Sequence, residues 1–270
     1  MSRLATFGVC GQDESGVISP DNFHQIQRAI LNKLKITLTI LACCFASCLV
    51  QRNAAAQSSI VNAPSADVVP AKKLYVEMDF ITNYAWARGD ERFANYLPRA
   101  VVGIGHNVEV GANVSYTRVP GGDAPIELQP NAKWKFYENE AKGIAASVGC
   151  IWFVPLTHRT GTKTFGQCYS VASKKVQGTH GPRLTGGGYY LVAAGNAEKT
   201  KAGAIVAYEQ PLANRLQFIV DWQSGDNRLG FIAPALNVVL PHSSSLSAGY
   251  AIANHGRGRN AFFLYYGTQF

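Results

Sequence analysis

A chain of 270 residues that is 47% hydrophobic but only 16% charged carries less charge than the roughly 25% of an ordinary soluble domain, yet it lacks the long apolar runs of a helical membrane protein. The same balance excludes intrinsic disorder and coiled coil. The net charge is +8, from 25 basic and 17 acidic residues, but the bases are scattered, so charge alone selects neither nucleic acid nor anionic lipid as a partner.

At the N-terminal end, Arg28, Lys33 and Lys35 precede the uncharged stretch 36–50, which a polar spacer separates from Ala54-Ala55-Ala56. This is the layout of a secretory signal. The apolar core falls short of the roughly 18 to 20 residues of a spanning helix, and small residues flank a cut after Ala56. Residues 1–56 are therefore read as leader and signal peptide. Met1 and Met78 are the only methionines, so the true translation start stays open. Ile40-Leu41-Ala42-Cys43 loosely fits a lipid-attachment pattern, but a cut before Cys43 leaves a very short apolar core. Cleavage after Ala56 removes Cys10, Cys43, Cys44 and Cys48 and keeps Cys150 and Cys168.

Residues 57–73 contain Pro64 and Pro70 among small polar residues without a period and read as a flexible periplasmic lead-in. From residue 74 onward the period is two. Over 107–117, Val108, Val110, Ala112, Val114 and Tyr116 alternate with Asn107, Glu109, Gly111, Asn113, Ser115 and Thr117, the pattern of a strand with unlike faces. Leu74, Val76, Met78 and Phe80 oppose Tyr75, Glu77 and Asp79 in the same way, and Leu216, Phe218, Val220 and Trp222 oppose Gln217, Asp221 and Gln223. Counting such runs between turn signals predicts twelve strands, beginning near Leu74, Arg99, Asn107, Ile126, Ile144, Phe165, Arg183, Gly203, Leu216, Arg228, Leu246 and Ala261. The faces are least cleanly split at Phe165 and Arg228. Residues 74–270 form a single domain on this reading.

Alternation also suits a soluble antiparallel sandwich. Three features favour an antiparallel up-and-down transmembrane β-barrel instead. The strands have the roughly ten residues that cross a bilayer when tilted. Aromatics such as Trp134, Phe136, Trp152, Trp222, Phe262 and Tyr266 sit near strand ends on the apolar face, as interfacial girdles require. The chain is read as exported, and a closed barrel is the sheet that satisfies its backbone in lipid. The last strand, Ala261-Phe262-Phe263-Leu264-Tyr265-Tyr266-Gly267-Thr268-Gln269-Phe270, resembles the closing strand of bacterial outer-membrane β-barrel proteins, although Thr268 departs from a wholly apolar face. That resemblance implies an outer-membrane location, a terminal Phe270 read by the barrel-assembly machinery, and a porin- or transporter-like function.

An even strand number puts both barrel ends of the chain in the periplasm and makes the connections around 88–95, 119–124, 158–164, 194–198, 225–227 and 255–259 extracellular. No connection is long enough to be an obvious plug, and Gly103, Gly111, Ala145, Ser147, Gly149, Ser247 and Gly249 are read as lining a narrow lumen. The candidate pore-lining charges are Glu77, Asp79, Glu109, Glu127, Glu209 and Asp221 against Arg99, Lys133 and Lys135, a surplus of carboxylates that predicts weak cation preference. Pairing of these groups across strands is the competing reading.

Catalytic chemistry is thin. His242-Ser243-Ser244-Ser245 is the nearest approach to a hydrolase constellation, but it lacks the His-x-Ser-Asn pattern of the lipid A deacylases and falls on a turn. Gly103-Ile104-Gly105 lacks the third glycine of a dinucleotide fingerprint and precedes a strand. No metal-ligand spacing, cofactor motif or nucleic-acid footprint is found. Arg159, Lys163, Arg257 and Arg259 are candidates to hold lipopolysaccharide phosphates. Cys150 and Cys168 flank Arg159 symmetrically, so a symmetric hairpin register would oppose them at disulfide distance, whereas a slip of one residue would put them on different faces. The expected function is a narrow channel or uptake pore for small polar or amphipathic solutes. A lipid-cutting barrel enzyme and an adhesive surface barrel are the alternatives.

Overall fold

The computed structural model describes residues 59–270 apart from 123, 158–162, 179, 196–197 and 257–258. The predicted signal peptide, His158, Arg159 and Arg257 lie outside the described residues. Twelve strands follow one another: β1 Leu74–Thr82, β2 Ala94–Gly105, β3 Val108–Arg118, β4 Ile126–Asn139, β5 Ile144–Pro155, β6 Phe165–Lys175, β7 Arg183–Val192, β8 Ala202–Ala213, β9 Leu216–Gln223, β10 Phe231–Leu240, β11 Ser244–Ala253 and β12 Ala261–Gln269. Each pairs antiparallel with the next, and β1 pairs with β12 from Tyr75↔Gln269 to Thr82↔Phe262, which closes the barrel.

Leu74 and Gln269 share one end, called here the near end. Two of its connections are tight: His106 and Asn107 both take positive φ between β2 and β3, as do His242 and Ser243 between β10 and β11. Two consecutive left-handed residues give a hairpin turn whose twist matches that of the strands. The longer connections, 83–93, 156–164 and 193–201 among them, are at the far end.

Ten of the predicted strand starts fall within two residues of the observed ones. β2 instead begins at Ala94, before Pro98, because pairing to β3 lapses at Leu97 and Pro98 while pairing to β1 continues as Met78↔Pro98. The missing proline donor therefore costs no ladder bond. β10 begins at Phe231: the Arg228 N–H is taken by the Glu198 carboxylate and the Gly230 N–H turns back to the Asn227 carbonyl, so the chain is still turning at Arg228.

The two faces separate as the period predicts. Met78, Trp134, Phe136, Leu236, Phe262, Leu264 and Tyr266 are exposed on the outside, while Tyr75, Ile205, Ile219, Ala233 and Phe263 are buried inside. Inward glycines make room for inward aromatics. A Cβ at Gly149 would meet the Tyr169 ring, one at Gly249 the Phe263 ring, and one at Gly267 the Tyr75 ring. Large rings thus fill the lumen without widening the wall.

Residues 57–73 were expected to be a flexible periplasmic lead-in, and here the structure differs. From residue 59 to residue 69 the segment lies inside the barrel, with Val61, Ala63, Ala66 and Val69 almost wholly buried, while residues 70–73 are exposed. It enters at the near end, where Ala71 bridges to Gly103 in parallel. The Lys72 N–H donates to the Gly103 carbonyl and the Gly103 N–H to the Lys73 carbonyl. A Cβ at Gly103 would collide with the carbonyls of Val69 and Pro70, so this approach requires glycine.

Cys150 and Cys168 stand opposite each other on β5 and β6, with Cα atoms 4.1 Å apart, and form a disulfide. The symmetric register holds although β6 is poorly phased in sequence. A chain of residues 57–270, denatured without reductant, should therefore label no thiol with a maleimide and two after dithiothreitol; two reactive thiols before reduction would contradict the bridge.

Candidate functional site

The inward positions of the strands and the segment 59–73 together build the lumen. The segment's backbone has no strand partner over most of its length, so its buried N–H groups need acceptors from the wall. Asp221 supplies one: a single carboxylate oxygen accepts from the N–H groups of Val61, Asn62 and Ala63 at 2.9, 2.8 and 2.7 Å. Three convergent backbone donors around one oxygen form an anion nest. Glu109 supplies another, accepting from the Val69 N–H at 2.7 Å. Between these anchors, Ser147 donates to the Ser65 carbonyl and Arg183 pairs with Asp67. At the tip, the Tyr265 hydroxyl donates to Asn62 Oδ1 at 2.8 Å and Gln223 to the Asn62 carbonyl at 3.1 Å.

The nine candidate charges lie on the inner face, and eight of them, all but Asp221, are paired with an opposite charge. Arg99 reaches Asp79 at 2.6 Å and Glu77 at 3.5 Å, with Glu77 also accepting from the Tyr75 hydroxyl. Lys133 meets Glu109 at 3.0 Å, both fully buried. Lys135 meets Glu138 at 2.6 Å. Glu127 takes both arms of the Arg228 guanidinium, at 2.8 and 2.9 Å, and Glu209 faces Arg183 at 3.7 Å. Arg183 and Arg228 are the inward bases that the sequence count left out, so the expected carboxylate surplus is largely offset. Asp221 is held by backbone alone among its described contacts.

The segment divides the lumen into two cavities. The far-end cavity, ≈ 350 Å³, is lined by Asn95, Asn113, Gln129, Phe153, Arg228 and Phe231 among others, and floored by Ser59, Asn62 and Pro64. The near-end cavity, ≈ 430 Å³, lies below Ser65 and Asp67 and is lined by Lys135, Glu138, Arg183 and Glu209. The His242 cluster does not assemble as a nucleophile site: the Ser244 hydroxyl bonds to Thr268 Oγ1 at 3.0 Å and approaches the His242 carbonyl rather than its ring. Phe270 is exposed at the near end, where its backbone pairs with that of Leu74.

No protein-family model matches the chain, and no curated protein matches it. Among solved structures, an outer membrane channel from Pseudomonas putida F1 is similar at a TM-score of 0.48 and 10% identity, over 76% of this chain and 98% of that one.

Two outcomes follow from the pairing. Arg99→Met strands two buried carboxylates and should lower the unfolding free energy by about 3–5 kcal/mol, most of which returns when Glu77→Gln and Asp79→Asn are added; equal loss in the single and triple variants would contradict it. Burial alone would raise the Asp67 carboxyl, but the Arg183 guanidinium bonded to it, with help from Lys133 and Lys135, holds it below its ordinary 3.8. A lowered folded-state value stabilises above the unfolded value and is lost as pH falls through the folded one. Amide exchange at 67–69 should therefore be faster in Asp67→Asn than in the parent at neutral pH, with the difference closing only well below the ordinary carboxylate value.

Proposed function

We propose that the protein is a bacterial outer-membrane channel or uptake pore for small polar or amphipathic solutes, closed at rest by its own residues 59–73. The observation that carries this is a closed ladder whose outer face is apolar and whose interior holds buried charged and polar side chains around a peptide segment of the same chain. A barrel with no open edge, exposing Leu, Val and aromatic side chains outward, leaves no backbone group unpaired in hydrocarbon. The aromatics Trp86, Trp134, Trp152, Trp222 and Tyr266 on that face suit interfacial girdles. The signal-like stretch before Ala56 supports export. On this reading the near end is periplasmic, Phe270 is offered to the assembly machinery, and Lys163 at the far end meets lipopolysaccharide phosphates, whereas Arg259 turns into the lumen over Phe231.

The occluding segment is bound by hydrogen bonds and ion pairs at separate places, Asp221, Glu109, Arg183 and Gly103. The bonds to the Asp221 and Glu109 carboxylates are each worth about 1.5–3 kcal/mol net, and because the ties are separate the segment loosens at one while the others hold. Paired wall charges favour only weak ion selectivity. No described residue favours the lipid-hydrolase reading.

In planar bilayers the parent should give small, infrequent conductance steps. Asp221→Ala, which removes the nest's anion, and Gly103→Val, which pushes the segment off β2, should each raise the open fraction at least several-fold while keeping the heat-dependent gel mobility of a folded barrel. Unchanged conductance in both folded variants would remove the segment from the gating role. Recovery of the protein in the soluble fraction after osmotic shock would end the membrane reading.

A further inference from the structure

The far-end cavity has two unlike sides, set by the strand order. Asn95 on β2, Asn113 on β3, and Gln129 and Asn131 on β4 make a contiguous row of amides. In a closed ring of twelve staves, β3 and β4 lie across the lumen from β9 and β10. There, Leu229 and Phe231 face them with apolar surface, the Arg259 guanidinium lying 5.1 Å from the Phe231 centroid, while Phe153 on β5 stands beside the amide row.

Both sides are held in place. Asn113 donates to Gln129 Oε1 at 3.1 Å, and Gln129 donates to Glu127 at 2.9 Å. Each amide has two donor hydrogens and two acceptor lone pairs, so these bonds orient the row and leave capacity for a guest. Phe153 stacks on Phe165 with ring centroids 4.7 Å apart, and the Arg228 guanidinium lies 4.7 Å from the Phe153 centroid. That guanidinium is already bound through both arms to Glu127. Arg99 is likewise committed to Glu77 and Asp79, and Arg259 at the mouth donates to the Asn227 carbonyl in the field of Glu198 and Asp226.

We infer that this cavity binds a small uncharged solute with one apolar ring face and one hydroxylated face, the chemistry of an aryl glycoside. The inference rests on the uptake reading for its purpose, but not for its geometry. A charged guest would find Arg99 and Arg228 already matched by carboxylates. A purely apolar guest would bury the amide row without partners, which sites built to hydrogen-bond reject strongly. A free sugar would bury less apolar area against Phe231 and Leu229 than an aryl group does. The volume, ≈ 350 Å³, is at the small end of the roughly 300–1,000 Å³ of small-molecule pockets. Ser59, Asn62 and Pro64 of the occluding segment form the floor, so the guest binds the closed protein and binding is measurable without transport.

The test titrates the whole mature protein, folded in detergent micelles, with phenyl β-glucoside, glucose, benzoate and benzylamine by calorimetry. Phenyl β-glucoside should bind, glucose at least tenfold more weakly, and the two charged probes not at all. Gln129→Leu should weaken phenyl β-glucoside about fivefold and Phe231→Ala about tenfold, in protein that keeps its heat-dependent gel mobility. Asn131→Leu replaces Gln129→Leu if the latter fails that check. No binding of phenyl β-glucoside, equal binding of glucose or of a charged probe, or indifference to both kinds of variant would overturn the inference. Conductance of the same preparation separates the two readings: a conducting protein that does not bind the probe sinks this inference alone, and a binding protein that never conducts sinks the channel reading alone.

Discussion

Everything in this molecule depends on the pairing of β1 with β12. Eight consecutive register pairs, Tyr75↔Gln269 to Thr82↔Phe262, turn a meander with two exposed edges into a surface with none. Closure also converts the two-residue period into a division of space, because every side chain of one parity is now inside and every one of the other parity outside. A slip of one residue at the seam would send Glu77 and Asp79 to the apolar exterior and Met78 and Phe80 into the lumen. The seam is therefore fixed as much by the charges it hides as by its hydrogen bonds.

Once the interior is closed, it sets its own chemistry. Carboxylates and bases buried there lose water and recover partners only from one another or from peptide groups. The wall meets this with Arg99 between two acids, Lys133 against Glu109 and Arg228 across to Glu127. Such pairs add little net stability over apolar residues, but they specify which stave faces which. Segment 59–73 completes the account: it brings three backbone donors to Asp221 and an anionic partner, Asp67, to Arg183. Wall and segment each satisfy groups that the other would leave bare.

Strand number, closure, face assignment and the inward glycines were legible in the sequence because they depend on side-chain period, and a period is a sequence property. The Cys150–Cys168 bridge was legible as far as hairpin symmetry carries, and its decision rested on a register that the poorly phased β6 does not reveal. β2 was cut short because Pro98 reads as a boundary, whereas its missing donor falls at a lapse in pairing to β3. The buried course of 59–69 was not legible. Its contacts are made largely by backbone N–H and carbonyl groups, which every residue but proline carries, and its small side chains have no period. The signal that could have found it lies in the wall. Asp221 is flanked in register by Ala207 on β8 and Ala233 on β10, so it has no base beside it on either neighbouring strand. An inward acid flanked by alanines on a closed wall must take its partner from something else in the lumen.

The distribution of those anchors says how the segment holds. Asp221 lies on β9, Arg183 on β7, and Glu109 and Gly103 are register partners on β3 and β2, so the chain is tied to separate parts of the wall. Losing any one tie leaves a short stretch of backbone exposed to the neighbouring cavity, where water can replace the bond at modest cost. Leaving the lumen altogether also uncovers Val61, which packs in the same cluster as Ile219, Ala233 and Phe263, and Val69, which packs with Tyr75 and Val101. Polar ties that exchange readily with water, set beside apolar contacts that do not, make local loosening easy and full expulsion costly. A segment held in this way shifts within the lumen more readily than it departs from it.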